Sequence, residues 1–544
     1  MPTLQFKGKS IIWNHHLSVP YHALEAVPEL DFQPEKASGN LLIEGDNLLA
    51  LKALLPLYGG KIKCIYIDPP YNTGNEGWAY NDNANSPLLR DWLGKEVGRD
   101  DLTRHDKWLC MMTPRLKLLR ELLTDDGAIF ISIDDNEVHH LRDLMDEIFG
   151  EECFIAQFTW KARQYPDARA ITGVSTDHEY IVVHGKTPGV RLRGGERDES
   201  KYSNPDNDER GSWMSRSILG LADEEHRPNL HYPIVDPGTK WKFSPSPETG
   251  WRYERATMEK KISEGRILFP KAKDGRPREK VFLKELQTKF PGLSSIIQRP
   301  YTADGTEEIR SIFGSGVFMF PKPSELVRMI VQQMTEGDEI ILDSFSGSGT
   351  TAQAVLDLNK EDGGNRKFIL VQMTEATLRQ AQGGAPAEPE KNICRDITRQ
   401  RIRRAIQKYG YESGFAYQRV GSAMDAGTLL AGQLPQVEQF GRYVFYLCTG
   451  EQAAAPPGAL QENLYRVGES ADAGVYLIYS PEYDTLVRLA LNLDAAEKIL
   501  ADGEKKRRIV YAPACFLDED YLRARNLEFV GLPYGLFQRR GGES

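Results

Sequence analysis

Over most of this chain, short apolar strands alternate with helices of amphipathic spacing, and one long stretch, residues 186–315, breaks the rhythm. That alternation limits the fold sharply. Parallel strands need a crossover connection, usually a helix, so repeated strand and helix predict a mostly parallel sheet covered on both faces. Leu41-Leu42-Ile43 reads as a strand and Leu48 to Leu57 as a helix. Ile62 to Ile67 is a second strand, closed abruptly by Asp68-Pro69-Pro70. Trp108 to Leu123 reads as a helix and Ala128 to Ile133 as a buried strand. Val138, Leu141, Leu144, Met145 and Ile148 form the apolar face of a helix that Asp135 or Asn136 can cap. Phe154 to Trp160 and Tyr180 to His184 are strands. The rhythm resumes with a helix at Ser324 to Met334, a strand at Glu339 to Asp343, a helix at Thr350 to Leu358 and a strand at Lys367 to Val371. The expected fold class is α/β, with a Rossmann-like, doubly wound, mostly parallel sheet.

A structureless loop as long as 186–315 is uncommon inside a compact domain, so this stretch is expected to be an inserted domain. The remaining organisation follows: an irregular arm at 1–40, a first part of the α/β domain at 41–185, a second part at 316–410, and a small C-terminal α/β domain at 411–544 with strands near 475–479, 508–511 and 528–530. Three units suit 544 residues. No apolar run approaches the ~18 residues that cross a bilayer, and no signal-peptide core opens the chain, so cytoplasm is the expected compartment and no membrane partner is expected. Six cysteines scattered singly lack metal-ligand spacing, and no metal is expected. The net charge of −10 has the wrong sign for a nucleic-acid binder, yet local basic clusters (Lys271, Lys273, Arg276, Arg278 and Lys280; Arg395 to Lys408) permit one.

Two strand ends carry unusual loops, at the edge where open parallel sheets bind ligands. In Asp68-Pro69-Pro70-Tyr71 the prolines fix φ and remove amide donors, leaving a rigid turn that offers acceptors. An exocyclic base amine donates two hydrogens. The Asp68 carboxylate can accept one and the Pro69 carbonyl the other, while Tyr71 gives a face on which an extruded base can stack. Asp-Pro alone is ordinary turn chemistry; the run through Asn72-Thr73-Gly74, directly after a buried strand, is far more specific. Trp160 and Tyr165 are read as buried aromatics and His178 as a structural histidine.

The second loop, Asp343-Ser344-Phe345-Ser346-Gly347-Ser348-Gly349-Thr350-Thr351, joins strand to helix, and Gly347 and Gly349 let a ligand approach the backbone. No Lys-Ser/Thr follows the last glycine, which excludes a P-loop. Gly347 to Ala352 matches the G-x-G-x-x-A of dinucleotide folds, so a dinucleotide-dependent oxidoreductase is an alternative. Asp343, however, would face a doubly charged pyrophosphate there, whereas the ammonium of S-adenosylmethionine complements it. The next strand should end in a ribose-binding group. Gln372 stands in the expected place and Glu375 is the acidic substitute.

Together these residues resemble the β-class DNA amino-methyltransferases, and most closely the modification subunits of Type III restriction systems, over roughly Leu41 to Lys408. The resemblance implies a class I methyltransferase fold and transfer of a methyl group from S-adenosylmethionine to a base amine of duplex DNA. It makes Asp68, Pro69, Pro70 and Tyr71 catalytic, and it makes 186–315 a target-recognition domain. Gly45-Asp46-Asn47 is similar to the family's adenine-side cofactor contact, and Phe320-Pro321-Lys322-Pro323-Ser324-Glu325-Leu326 to its methionine-side segment. Asp343, Phe345, Gly347 and Gly349, followed by Thr350, match its Gly-rich motif. His178-Glu179-Tyr180 and Asn204 to Asp208 also resemble Type III subunits. Asp at the first catalytic position resembles adenine-N6 enzymes; cytosine-N4 is the alternative within the class. Two departures are Gln372, where many relatives carry an acid, and a length short for such a subunit. Double-stranded DNA, a restriction helicase-nuclease subunit and a second copy of the chain are the expected partners.

Overall fold

The computed structural model of the chain describes residues 3–73, 103–168, 170, 172–286, 290–374, 392–503 and 507–532. It divides into two compact units, residues 193–294 and the remainder. The larger unit is built on a ten-stranded sheet. Its strands are β1 (His22–Ala26), β2 (Leu41–Glu44), β3 (Ile62–Ile67), β4 (Leu123–Ile133), β5 (Phe154–Lys161), β6 (His178–Gly185), β7 (Ile296–Ile297), β8 (Ile340–Asp343), β9 (Lys367–Gln372) and β10 (Ala416–Ala423). Their spatial order is β1-β10-β2-β9-β8-β3-β4-β6-β5-β7. From β10 to β4 every pair is parallel, whereas β1 and β6 run antiparallel to their neighbours. The chain is an α/β fold with a mostly parallel sheet.

The helices that matter for the site are α1 (Asn47–Tyr58), α2 (Arg104–Leu122), α3 (Val138–Phe149), α4 (Thr302–Phe313), α5 (Ser324–Gln332), α6 (Thr350–Asp362) and α7 (Arg399–Tyr409). Successive strand residues point to opposite faces. Ile43, Ile65, Ile67, Ile129 and Ile131 pack in one cluster with Leu51 and Leu54 of α1, Trp108 and Leu116 of α2, and Leu141 and Leu144 of α3. Residues of the other parity, Cys64, Tyr66, Phe130, Phe368 and Leu370, are equally buried, as are Leu326 and Val327 of α5 and Val355 of α6. Burial on both faces is why these strands read as nearly unbroken apolar runs.

Three expectations about local structure need correction. The arm at 1–40 is not wholly irregular, because β1 lies in it and pairs with β10 at the sheet edge. Strand β4 starts at Leu123, which pairs with Ile62; the register then shifts, and the ladder resumes at Cys64 and Ala128. The helix after β4 is capped by neither Asp135 nor Asn136: its N-cap residue is Glu137.

Ala416–Ala423, in the stretch read as C-terminal domain, is a strand of the main sheet, held there by backbone pairing to β2. Beyond it, five strands between Gly458 and Gly531 form a separate sheet in chain order. The smaller unit, 193–294, begins and ends inside the 186–315 stretch. It has its own core of Ile218, Tyr232, Ile234, Phe243, Trp251, Met258 and Ile267, and a three-stranded sheet led by Trp213–Ser217 and Arg278–Phe282. Asp206 and Asp208 both accept from the buried ammonium of Lys280, and Asp208 also pairs with Arg210. The Asn204–Asp208 stretch is thereby organised as an internal ionic turn. Lys271, Lys273, Arg276 and Arg278 remain exposed.

Candidate active site

Strands β8 and β3 are parallel neighbours, and chain order reverses between them: β8 is followed by β9 on one side and β3 by β4 on the other. Such a switch point is where open α/β sheets bind ligands. Leu342 pairs with Ile65, so Asp343 and Asp68 leave the sheet at one edge. Because β6 runs antiparallel, its first residues, His178 to Tyr180, reach that same edge. Three segments distant in sequence converge for topological reasons.

The Asp68–Tyr71 turn is held from several sides. The Lys322 ammonium lies 2.9 Å from both Asp68 carboxylate oxygens, 3.5 Å from Glu179 and 4.8 Å from the centre of the Tyr71 ring. Burial alone would depress the Lys322 ammonium, but Asp68 and Glu179 outweigh it and hold the group charged, above its ordinary value. The Tyr71 hydroxyl donates to Glu179 at 2.8 Å; burial, with Asp68 and Glu179 beside it, pushes this phenol well above its usual range. The indole N–H of Trp108, fully buried on α2, donates to the Pro70 carbonyl at 2.7 Å.

The Gly-rich loop is equally constrained. Gly347 and Gly349 take positive φ of 50° and 82°, and a Cβ at Gly349 would meet the Thr398 methyl at 3.1 Å. Asp343 is buried and accepts from the Phe345 N–H at 3.0 Å and from the Thr351 hydroxyl. Both partners are neutral. Burial, with Asp68 nearby, therefore raises its carboxyl to about 7. The folded carboxyl keeps its proton up to about pH 7, whereas the unfolded one loses it near 4. In that window the folded state binds more protons, so this contribution to stability declines as pH rises from about 4 to 7 and levels off above. Asp343→Asn should remove that component, up to about 4 kcal/mol. Urea midpoints of both proteins at pH 5 and pH 8 check this; parallel shifts in the two would refute it.

Several other expected contacts are turned differently. Asp46 caps α1 by accepting from Leu48 N–H at 2.8 Å, and Asn47 joins the edge by donating to the Ser344 carbonyl at 3.0 Å. The Gln372 amide oxygen accepts from Gly347 N–H at 2.7 Å, so it braces the glycine loop. Thr350 donates its hydroxyl to the Lys322 carbonyl at 3.1 Å. Lys322, read as a methionine-side contact, directs its ammonium to the Asp68 carboxylate. Glu375 lies outside the described residues. Trp160 is buried as expected, whereas Tyr165 is 74% exposed. His178 is paired through Nε2 with the Tyr180 hydroxyl at 2.8 Å.

Sequence reasoning gave no site role to three groups: Glu179, beside Lys322 and the Tyr71 hydroxyl; Glu137, buried among Asn72, His105 and His140; and Arg401. Arg401 belongs to the basic run at 395–408 but is fully buried. It donates to Ser348 at 2.7 Å, to Thr350 at 2.6 Å and to Glu308 at 3.0 Å. Arg395 from the same run pairs with Glu44, which is fully buried; burial would raise that carboxyl, but Arg395, Asn392 and Arg419 together bring it below its usual value. The only signal for either was the 3.6-residue spacing that turns one side of a helix inward.

A DNA methylase family model matches residues 62–383. The Type III restriction-modification enzyme StyLTI Mod subunit of Salmonella typhimurium is 35% identical over 391 residues, 69% of this chain and 58% of that subunit. The Type II methyltransferase M.KpnI of Klebsiella pneumoniae is 32% identical over 365 residues, 63% of this chain and 82% of that protein. Among solved structures, the PvuII DNA methyltransferase (cytosine-N4-specific) aligns with a TM-score of 0.31 at 14% identity, covering 63% of this chain and 86% of that one. The chain thus spans under two thirds of the StyLTI subunit's length. The family match takes in both strand-end loops and the segment that carries Lys322, and it covers more than half of the sequence: the chain belongs to the DNA methylase family.

Proposed function

We propose that this protein transfers a methyl group from S-adenosylmethionine to the exocyclic N6 amine of adenine in duplex DNA, within a restriction-modification system. The observation that carries the reading is the seat of Lys322. Its nitrogen bridges both Asp68 oxygens against the Tyr71 ring, the position that a nitrogen donor needs at such a site. A base amine displacing that ammonium would give its hydrogen to Asp68 and lay its ring along Tyr71.

The cofactor fits the neighbouring loop. Asp343, buried with neutral partners among the described residues, gains a countercharge from the ligand's ammonium, while Gly347 and Gly349 leave backbone room for it. Bound there, S-adenosylmethionine supplies a methyl group on a cationic sulfur. The protein's own work is orientation and polarisation: Asp68 draws on the amine hydrogen so that the nitrogen lone pair faces the methyl group, and it stands ready to take the proton released as the N–C bond forms and the S–C bond breaks. The 193–294 unit, with its exposed basic residues, serves as the target-recognition part. A restriction helicase-nuclease and a second copy of the chain are the proposed partners.

Incubating DNA with methyl-labelled S-adenosylmethionine and identifying the labelled nucleoside tests this. N6-methyladenine is the expected product. N4-methylcytosine alone would reject the adenine assignment, and DNA without label would reject the transfer.

A further inference from the structure

Glu137 does not cap with its side chain the helix it begins. It is the N-cap residue of α3, a place where Ser, Thr, Asp or Asn satisfies a free amide, yet its side chain makes no capping hydrogen bond. Its carboxylate is instead fully buried and collects three donors, two from other segments and one, His140, from the first turn of α3 itself. Oε1 accepts from the Asn72 side-chain amide and from His105 Nδ1 at 2.6 Å, and Oε2 accepts from His140 Nδ1 at 2.9 Å. Burying a carboxylate costs several kcal/mol unless its oxygens are satisfied, so a group of this kind is retained where its partners need fixing.

The partner that needs fixing is Asn72, the residue directly after Tyr71. It is fully buried and sits at φ 60°, in the left-handed region that Asn tolerates better than most residues. His105 lies three residues before Trp108 on α2, so one helix face holds the turn twice: through the Trp108 bond to Pro70 and through the His105 bond to Glu137. The loop carrying Asp68, Pro70 and Tyr71 is therefore anchored at its exit by one carboxylate, in addition to the Lys322 and Glu179 contacts.

We propose that Glu137 is a positioning residue for methyl transfer, clamping the Asp68–Tyr71 turn through Asn72, with His105 and His140 orienting its carboxylate. This rests on the reading of that turn as the transfer site. The ligating atoms of His105, Glu137 and His140 lie within 4.8 Å of one another, close enough to hold an ion, but the 2.6 and 2.9 Å separations are those of hydrogen bonds.

The test uses the full chain with Glu137→Gln, with Asn72→Gly, which keeps the positive φ accessible, and with the double variant. Single-turnover transfer should fall about 100-fold in each single variant, as expected for a turn displaced by ~1 Å, with S-adenosylmethionine affinity within about twofold of the parent. The double variant should be no slower than the worse single one, because both changes cut one link. Multiplying losses, or a loss confined to cofactor affinity, would overturn the clamp. Hydrogen exchange over residues 71–73 reads the clamp without activity: Glu137→Gln should accelerate it, and unchanged exchange would overturn the proposal even if the parent transferred no methyl group. Chelator-sensitive turnover restored by zinc would overturn it too, by making the three side chains ligands.

Discussion

Replacing Asp68 by Ala should lower methyl transfer by at least about a thousandfold while leaving S-adenosylmethionine affinity within a few-fold of the parent. The carboxylate is the one group in the turn that can both accept the amine hydrogen and balance the positive charge that grows on nitrogen, and the loss of a single preorganised group of this kind costs ~10²–10³ in rate. Removing it also strips the amine of its orientation, which adds to the loss. Cofactor affinity should hold because Asp343, Gly347 and Gly349 lie on the neighbouring strand end, where Asp343 takes its hydrogen bonds from Phe345 and Thr351. Asp68→Asn, which keeps an acceptor without the charge, should fall between the two. In either variant Lys322 keeps the Glu179 carboxylate, 3.5 Å away, as its ionic partner. Transfer assays beside calorimetry decide the matter: activity within tenfold of the parent would remove Asp68 from the chemistry, and joint loss of activity and cofactor binding would make its role architectural.

The second large effect should come from Arg401→Met. Arg401 is buried in full, with hydrogen bonds to Ser348, Thr350, Gln353 and Glu308. Glu308 in turn accepts from the backbone N–H and hydroxyl of Ser324, at the start of α5. Burial already pushes the Glu308 carboxyl up, with Arg401 acting against it. Without the guanidinium that carboxylate is left in a poorly solvated place, and breaking a buried pair from one side typically destabilises by ~3–5 kcal/mol. The denaturation midpoint should fall accordingly, and cofactor affinity should weaken about tenfold, since two hydroxyls of the glycine loop lose their donor. Adding Glu308→Gln should recover a large part of the stability, because the stranded charge is gone. An unchanged midpoint in Arg401→Met would show that this network carries little of the fold.

These two residues mark how far a linear reading reaches. Asp68 was legible because its signal is local: a β-branched run ends in two prolines, and that geometry holds whatever surrounds it. Asp343 was legible for a similar reason, since a glycine pair between strand and helix constrains only its own backbone. Arg401 was not, because a basic run on an amphipathic helix looks the same whether a given guanidinium faces solvent or a buried carboxylate. Glu137 was missed in the same way. It follows two aspartates and an asparagine that cap helices well, and nothing local says that its carboxylate points at Asn72 instead. Gln372 was placed at the correct strand end, but which way its amide turned depended on where Gly347 presents its N–H.

The amino-acid sequence by itself determined the α/β alternation and the two strand-end loops, because periodicity, proline and glycine act over a few residues. Only the tertiary structure decided that β8 and β3 are neighbours, that Lys322 and Glu179 meet the Asp68–Tyr71 turn there, and that Asp343 is buried. Those facts depend on strand order and on burial, and a charge acquires its pKa and its partner only when the fold removes water from around it.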